Sequence, residues 1–66
     1  MPSTVIDHYR FDPDTNRLRI FFVSGKIYDY QGISIDIYEK FRAAYSKGKF
    51  LNEEIKGRYA FEKIDE

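Results

Sequence analysis

The sequence predicts an α+β fold, in which a three-stranded antiparallel β-meander is followed by an amphipathic helix and a second short helix packed on one face. Through the stretch Arg17 to Tyr30, apolar side chains recur with a period of about two, as in a half-buried strand. After Gln31 and Gly32 the period lengthens to about 3.6 residues, as in a helix. With 66 residues, the chain is expected to form one domain over positions 1–66.

A first strand is expected from Thr4 to Phe11, followed by a tight turn. Alternation places one set of side chains on one face (Val5, Asp7, Tyr9, Phe11) and another set on the opposite face (Ile6, His8, Arg10). In the turn, Asp12 can accept backbone hydrogen bonds and Asn16 tolerates a left-handed conformation. The first and second strands are therefore expected to be antiparallel neighbours.

The central hairpin, Arg17 to Tyr30, is expected to have a three-residue loop, Val23 to Gly25. This register pairs Leu18 with Tyr30, Arg19 with Asp29, Ile20 with Tyr28, Phe21 with Ile27 and Phe22 with Lys26. Most of the apolar side chains then share one face, and Arg19 lies opposite an acidic residue. A two-residue turn at Ser24 and Gly25 would place Ile20 opposite Asp29, so the three-residue loop is preferred.

An amphipathic helix is expected over residues 35–47. Its apolar stripe consists of Ile37, Phe41, Ala44 and Tyr45, and should cover the apolar face of the hairpin. Ser34 is a suitable N-cap, and Gly48 is a suitable C-terminal stop.

A second, shorter helix is expected over residues 50–56, with Asn52 as its cap and Gly57 at its end. The tail from Tyr59 to Glu66 allows two interpretations. It either adds a strand-like segment through Tyr59, Phe61 and Ile64 or frays.

Composition limits the classes of function. The chain has no cysteine, which excludes disulfides, a thiolate zinc site and a catalytic thiol. No stretch approaches the roughly 20 apolar residues of a membrane span, and Met1 to Arg10 lacks the pattern of a signal peptide, so we expect a cytoplasmic protein without a membrane partner. The formal net charge is zero, but residues 17–49 hold seven basic and three acidic side chains, which is compatible with a local basic patch.

Residues with catalytic potential have simpler structural explanations. His8 is the only histidine and is expected on the surface of an edge strand. Asp12 and Asp14 suit a turn better than a calcium loop, and Glu53 and Glu54 suit the start of a helix. The sequence has neither a glycine-rich phosphate loop nor a nucleophile elbow. We therefore expect a protein that is not an enzyme and uses no cofactor and no metal.

Several short motifs are spread along most of the chain. They consist of Tyr9, Phe11, Asp12, Leu18, Ile20, Phe22, Gly25, Tyr28, Tyr30, Ser46, Gly48, Phe50, Asn52, Ile55 and Tyr59. These motifs resemble the KTSC domain family, which is named for the C-terminal region of some lysyl-tRNA synthetases and also occurs as small stand-alone bacterial proteins. The resemblance implies a compact α+β domain, for which RNA binding is the usual functional suggestion.

Four basic residues flank the turn between the two predicted helices and form a candidate surface for phosphate groups. These residues are Lys47, Lys49, Lys56 and Arg58. Asn52 is either a polar recognition residue or the cap of the second helix. Tyr28 and Tyr30 either form a stacking platform for unpaired bases or belong to the core, and the hairpin register favours the core.

The expected function is that of a non-enzymatic binding module for RNA, such as tRNA, acting through this basic patch with Tyr28 or Tyr30 as a stacking contributor. The alternative is a protein-interaction module, such as a homodimer formed through an open sheet edge and the side chains of Phe21, Ile27 and Tyr38. Salt should weaken RNA binding steeply and should leave an apolar interface nearly unchanged.

Overall fold

One antiparallel sheet of four strands organises the described part of this computed structural model, residues 5–64, in the order β1-β2-β3-β4. In chain order the elements are β1 (Ile6–Asp12), β2 (Arg17–Phe22), β3 (Ile27–Tyr30), α1 (Ile35–Ala43), α2 (Lys47–Phe50), a π-helical segment (Leu51–Ile55) and β4 (Phe61–Ile64). The α+β class is confirmed, and the sheet has one strand more than the three predicted.

The central hairpin has the predicted register. Leu18 pairs with Tyr30, Ile20 with Tyr28 and Arg19 with Asp29. Gly25 has a φ of 95°, a left-handed conformation that favours glycine. Its N–H donates to the carbonyl of Phe22 at 2.9 Å, which closes the predicted loop.

The fourth strand settles the two interpretations of the tail in favour of a strand. Phe61 pairs with Tyr30 and Ile64 pairs with Ile27, so β4 covers the edge of β3 that a three-stranded meander would leave open. The sheet edges in the described chain are therefore β1 and β4. The end of the predicted tail, residues 65–66, lies outside the described residues.

The first strand contains an irregularity that alternation did not predict. It spans Ile6–Asp12 instead of beginning at Thr4, which lies outside the described residues, and its register shifts between Ile6 and His8. The extra residue of such a bulge reverses which side chains face the core. Ile6 consequently lies opposite Phe22 and packs against the core, whereas alternation placed it with His8 and Arg10.

The first helix begins where predicted and ends earlier. The Ser34 hydroxyl accepts a hydrogen bond from the N–H of Ile37 at 3.3 Å, so Ser34 is the N-cap. The helix ends at Ala43, four residues before the predicted boundary, because the backbone is already extended at Ala44 and Ser46. Gly48 is therefore not the stop of this helix and lies inside α2.

The second helix begins at Lys47, three residues earlier than predicted. Ser46 is its N-cap, since the Ser46 hydroxyl accepts from the N–H of Lys49 at 3.3 Å, and this role had been assigned to Asn52. The helix then widens, and the N–H of Lys56 donates to the carbonyl of Leu51 at 2.7 Å across a π-helical turn. Gly57 follows with a φ of 81° and ends the segment, as predicted.

The core lies between the sheet and the helices on one face only. Its fully buried members are Leu18, Ile20, Tyr30, Ile33, Phe41, Leu51 and Ile55. Burying one such side chain contributes about 1.5 to 3 kcal/mol, so this face supplies most of the hydrophobic stabilisation. No helix described between residues 5 and 64 has the length and apolar character needed to cross a membrane.

Candidate nucleic-acid interface

A groove of about 440 Å³ lies between the second helix and the edge of the sheet where β1 begins and β2 ends. Its lining residues are Val5, Phe22, Gly48, Lys49, Leu51, Asn52 and Lys56. Three of the predicted site residues, Lys49, Asn52 and Lys56, are thus brought to one surface. We call this feature the basic groove.

These three polar side chains come from successive parts of one helical stretch. Lys49 lies in α2, Asn52 lies in the π-helical segment, and Lys56 is the C-cap of this segment. Gly48 has no side chain to narrow the groove beside Lys49. Asn52 is exposed and caps none of the helices described between residues 5 and 64, so its amide can donate and accept hydrogen bonds at this surface.

The floor of the groove is apolar. Phe22 and Leu51 contribute to it, and the ring of Phe22 meets the ring of Tyr28 edge to face at a centroid distance of 5.5 Å. Lysine ammonium groups above an apolar floor suit a ligand that carries both phosphates and flat rings. The geometry is therefore compatible with a nucleotide.

Lys47 and Arg58, the other two predicted basic residues, do not line the groove. Lys47 lies in the first turn of α2 and is half-buried. Arg58 is exposed beyond Gly57 and lies 3.9 Å from the carboxylate of Glu54, an ion pair of low strength at this exposure. These two residues add positive potential around the groove without contacting it.

The two tyrosines of β3 belong to the packed face of the sheet. Tyr30 is only 2% exposed, and burial, followed by the nearby Tyr28, raises its pKa above the usual value. A ring enclosed in this way has no free face for a base, so Tyr30 lies in the core, the alternative that the hairpin register favoured. Tyr28 is half-buried among Phe22, Tyr30 and Phe61, and therefore lies beneath the groove, behind Phe22.

Tyr45 is the aromatic side chain that sequence analysis assigned to the wrong environment. It was predicted in the apolar stripe of the first helix, but that helix ends at Ala43 and Tyr45 is 84% exposed. It borders a shallow depression of about 300 Å³ that it shares with Lys49. The signal for this arrangement was Ser46, whose capping of a second helix requires extended backbone just after Tyr45.

The side chains expected to mediate protein contacts pack against other residues of the chain. Ile27 is 8% exposed, and Phe21 lies beneath the ring of His8, with parallel rings 4.0 Å apart. Tyr38 stacks on Phe11 at 4.2 Å. The exposed large apolar side chains lie elsewhere, at Val5, Val23, Ile35, Tyr45 and Phe61. Phe21, Ile27 and Tyr38 are therefore engaged in packing within the chain.

Acidic residues and His8 form no metal-binding group between residues 5 and 64. His8 is exposed on β1 and bonds to its neighbour Asp7 at 3.1 Å. Asp12 caps the following turn, where its carboxylate accepts from the N–H of Asp14 at 3.0 Å. Both residues therefore occupy the structural positions that sequence analysis assigned to them.

The KTSC domain model matches residues 2–59 of the chain. The chain belongs to the KTSC domain family. The crystal structure of a KTSC domain protein from Yersinia pestis superimposes with a TM-score of 0.88 and 33% identity, covering 98% of this chain and 94% of that one. The fold described above is therefore the KTSC fold.

Curated relatives of this KTSC chain are lysine–tRNA ligases. The ligase of Nostoc sp. (strain PCC 7120) is 36% identical over 62 residues, and that of Nostoc punctiforme is 34% identical over the same length. In each case the match covers 94% of this chain but only 11% of the ligase. The similarity is therefore to one region of these enzymes.

Proposed function

We propose that this KTSC chain is a non-enzymatic module that binds structured RNA, such as tRNA, through the basic groove and Tyr45. The observation that supports this most is the convergence of Lys49, Asn52 and Lys56 on one groove, with the exposed Tyr45 in a second depression that Lys49 also lines. Relatives that are lysine–tRNA ligases make an RNA ligand the first to test.

Each side chain has a distinct role in this proposal. Lys49 and Lys56 bind backbone phosphates as mobile point charges. Asn52 donates to or accepts from a base edge or a ribose. Tyr45 stacks on an unpaired base, an interaction of about 1 to 3 kcal/mol that does not depend on base identity. Lys47 and Arg58 contribute longer-range attraction.

The first experiment measures the affinity of the full chain for bulk tRNA by fluorescence anisotropy at several salt concentrations. Lys49→Glu combined with Lys56→Glu should weaken binding at least about tenfold and lower the slope of log K against log salt by about 0.7 to 0.9 for each lost phosphate contact. Both side chains are polar parts of the groove surface, so the variant should remain folded.

A matched control separates the groove from overall charge. Lys40→Glu combined with Lys63→Glu changes the net charge by the same amount at exposed positions outside the groove. Similar losses in both variants would mean that RNA is attracted by charge alone and that the groove is not its site. Absence of binding by the unmodified chain would reject RNA and direct the search to a protein partner.

Tyr45→Ala tests the stacking role separately. It should weaken binding to a single-stranded RNA by about 1 to 3 kcal/mol while leaving the salt slope unchanged, because the lost contact is not ionic. Tyr28→Phe is the control, since it keeps the ring beneath the groove. An unchanged affinity for Tyr45→Ala would remove this residue from the proposed site.

A further inference from the structure

The face of the sheet that carries no helix is crossed by a row of charged residues. The strand register places Arg10, Arg19, Asp29 and Glu62 side by side on β1, β2, β3 and β4. Asp12 and Arg17 form the next pair toward the turn. This face lies on the other side of the sheet from the basic groove.

Asp29 is an unusual member of this row because it is buried without a helix above it. The residue is 2% exposed, and its Oδ2 atom lies 3.2 Å from Nη2 of Arg19 and 3.8 Å from Nη1 of Arg17. Its second carboxylate oxygen, Oδ1, is also buried and has no hydrogen-bond partner among residues 5–64. A buried acceptor of this kind is costly unless a donor reaches it.

Whereas Oδ1 of Asp29 requires a hydrogen-bond donor, the arginines of the row require an anion. Arg10 and Arg19 are direct cross-strand partners, an arrangement of like charges that destabilises a sheet unless an anion lies between them. The side chains of Arg17 and Arg19 are 47% and 40% exposed, so most of their N–H groups remain available to a ligand.

A cavity of about 400 Å³ lies over these residues. Its lining consists of Arg10, Phe11, Asp12, Thr15, Arg17, Arg19 and Asp29. Three arginines and two aspartates leave a net charge of +1 around the cavity. The Thr15 hydroxyl adds a group that can donate or accept.

We propose that this cavity binds phosphate in a protonated form, as hydrogen phosphate or as the singly charged phosphate of a monoester. Such an ion offers oxygens to the guanidinium groups and a P–OH donor to the unpaired Oδ1 of Asp29. Because the carboxylate is covered by Arg17 and Arg19, one of these mobile side chains turns from Asp29 to the ligand as it enters. Sulfate has a similar shape but no proton at neutral pH, so it satisfies only the arginines.

This inference is independent of RNA binding at the groove. Internal phosphodiesters of RNA carry no P–OH proton, so the backbone that would bind Lys49 and Lys56 does not meet the requirement of Asp29. The two sites also occupy opposite faces of the sheet.

The test is an amide chemical-shift titration of the labelled full chain with sodium phosphate and with sodium sulfate at neutral pH and constant ionic strength. We expect phosphate to shift the amides of Arg10, Arg17, Arg19 and Asp29 and to bind about tenfold or more tightly than sulfate, the effect of one hydrogen bond to a charged group. Equal affinity for the two ions, or shifts confined to the basic groove, would overturn the proposal.

Two variants assign the effect to the cavity. Arg10→Ala, at an exposed position, should weaken binding of both ions, whereas Arg42→Ala, which removes an arginine paired with Glu39 on α1, should not. Asp29→Asn should abolish the preference for phosphate, because an amide can donate to either ion. A preference that survives Asp29→Asn, or a loss as large in Arg42→Ala as in Arg10→Ala, would reject the site.

A further titration with adenosine 5′-monophosphate distinguishes the two sources of protonated phosphate. Tighter binding than inorganic phosphate, strengthening as the pH falls toward about 6, where the second phosphate proton is retained, assigns a monoester. Weaker binding assigns free phosphate. Failure of both ligands would overturn the inference while leaving the RNA proposal untouched.

Discussion

The two faces of the sheet use alternate residues of the same strands, yet they bury side chains in different ways. Tyr30 and Asp29 are neighbours on β3, and each is 2% exposed. Tyr30 is enclosed in the core that the sheet forms with Ile33, Phe41 and the helices. Asp29 is covered by the arginine side chains of β2, which are themselves half exposed.

This difference shows that low exposure has two meanings in a small domain. A ring enclosed by packed backbone elements becomes accessible only when the domain opens, so Tyr30 is structural. A carboxylate covered by flexible side chains becomes accessible when a side chain changes rotamer, which occurs within nanoseconds at exposed positions. Asp29 can therefore be buried in the free protein and still contact a ligand.

The largest expected difference between the faces concerns hydrophobic burial. Ile20→Ala, on the helix-covered face, should lower the free energy of unfolding by about 3 to 4 kcal/mol, whereas Ile27→Ala, on the open face, should cost at most about half as much. Ile20 is completely buried by two layers, and Ile27 is covered by the single row of Phe21 and Ile64. Urea denaturation followed by circular dichroism measures both values.

Because a 66-residue domain has little stability to spare, Ile20→Ala can unfold outright. The milder pair Ile20→Val and Ile27→Val then preserves the comparison, with about 0.5 to 1.5 kcal/mol expected at Ile20. Equal costs at the two positions would show that the open face is as much a part of the core as the covered face.

An intermediate effect is expected from the buried carboxylate. Asp29→Asn keeps the shape of the side chain but removes the charge that Arg17 and Arg19 contact, which should cost about 1 to 2 kcal/mol of stability. Asp14→Asn, at an exposed turn position, is the matched control and should cost almost nothing. A difference of zero between the two variants would mean that the arginines do not stabilise Asp29.

The smallest effect at neutral pH is expected at Tyr30. Burial raises the pKa of its phenol, so the folded state holds the proton more tightly than the unfolded state, and stability falls as the pH rises through and above the unfolded value of about 10. Tyr30→Phe should change stability at pH 7 by less than about 1 kcal/mol and should reduce the alkaline loss.

Thermal unfolding between pH 8 and 11 measures this dependence, with Tyr45→Phe as the control because that ring is exposed. An alkaline loss that is unchanged in Tyr30→Phe would mean that another group is responsible. It would also mean that the Tyr30 hydroxyl reaches water more freely than the ring.

Local features of the fold could be predicted because their causes lie within a few residues. The loop ending at Gly25, the cap at Ser34 and the left-handed Asn16 each follow from the conformational preference of one side chain. The hairpin register followed as well, since a shift of one residue would have moved the apolar set to the wrong face.

Other features were mispredicted because two local signals competed. The spacing of apolar residues predicted that the first helix continues through Tyr45. In the structure that helix ends at Ala43, because Ser46 is the N-cap of the second helix. At the start of β1, alternation assigned Ile6 to the open face, and the bulge reversed that assignment. In both cases the deciding feature lies beside the mispredicted residue, but a periodicity taken over a whole segment does not show where a single residue interrupts it.

The sequence by itself determined the α+β class, the turns, the hairpin register and the set of basic residues from which the groove is drawn. Only the tertiary structure decided that Lys49, Asn52 and Lys56 share a groove while Lys47 and Arg58 do not. It also decided that Arg10 lies beside Arg19 and Asp29, because pairing between strands depends on contacts across the sheet. Periodicity describes one segment at a time, and a binding site is assembled from several.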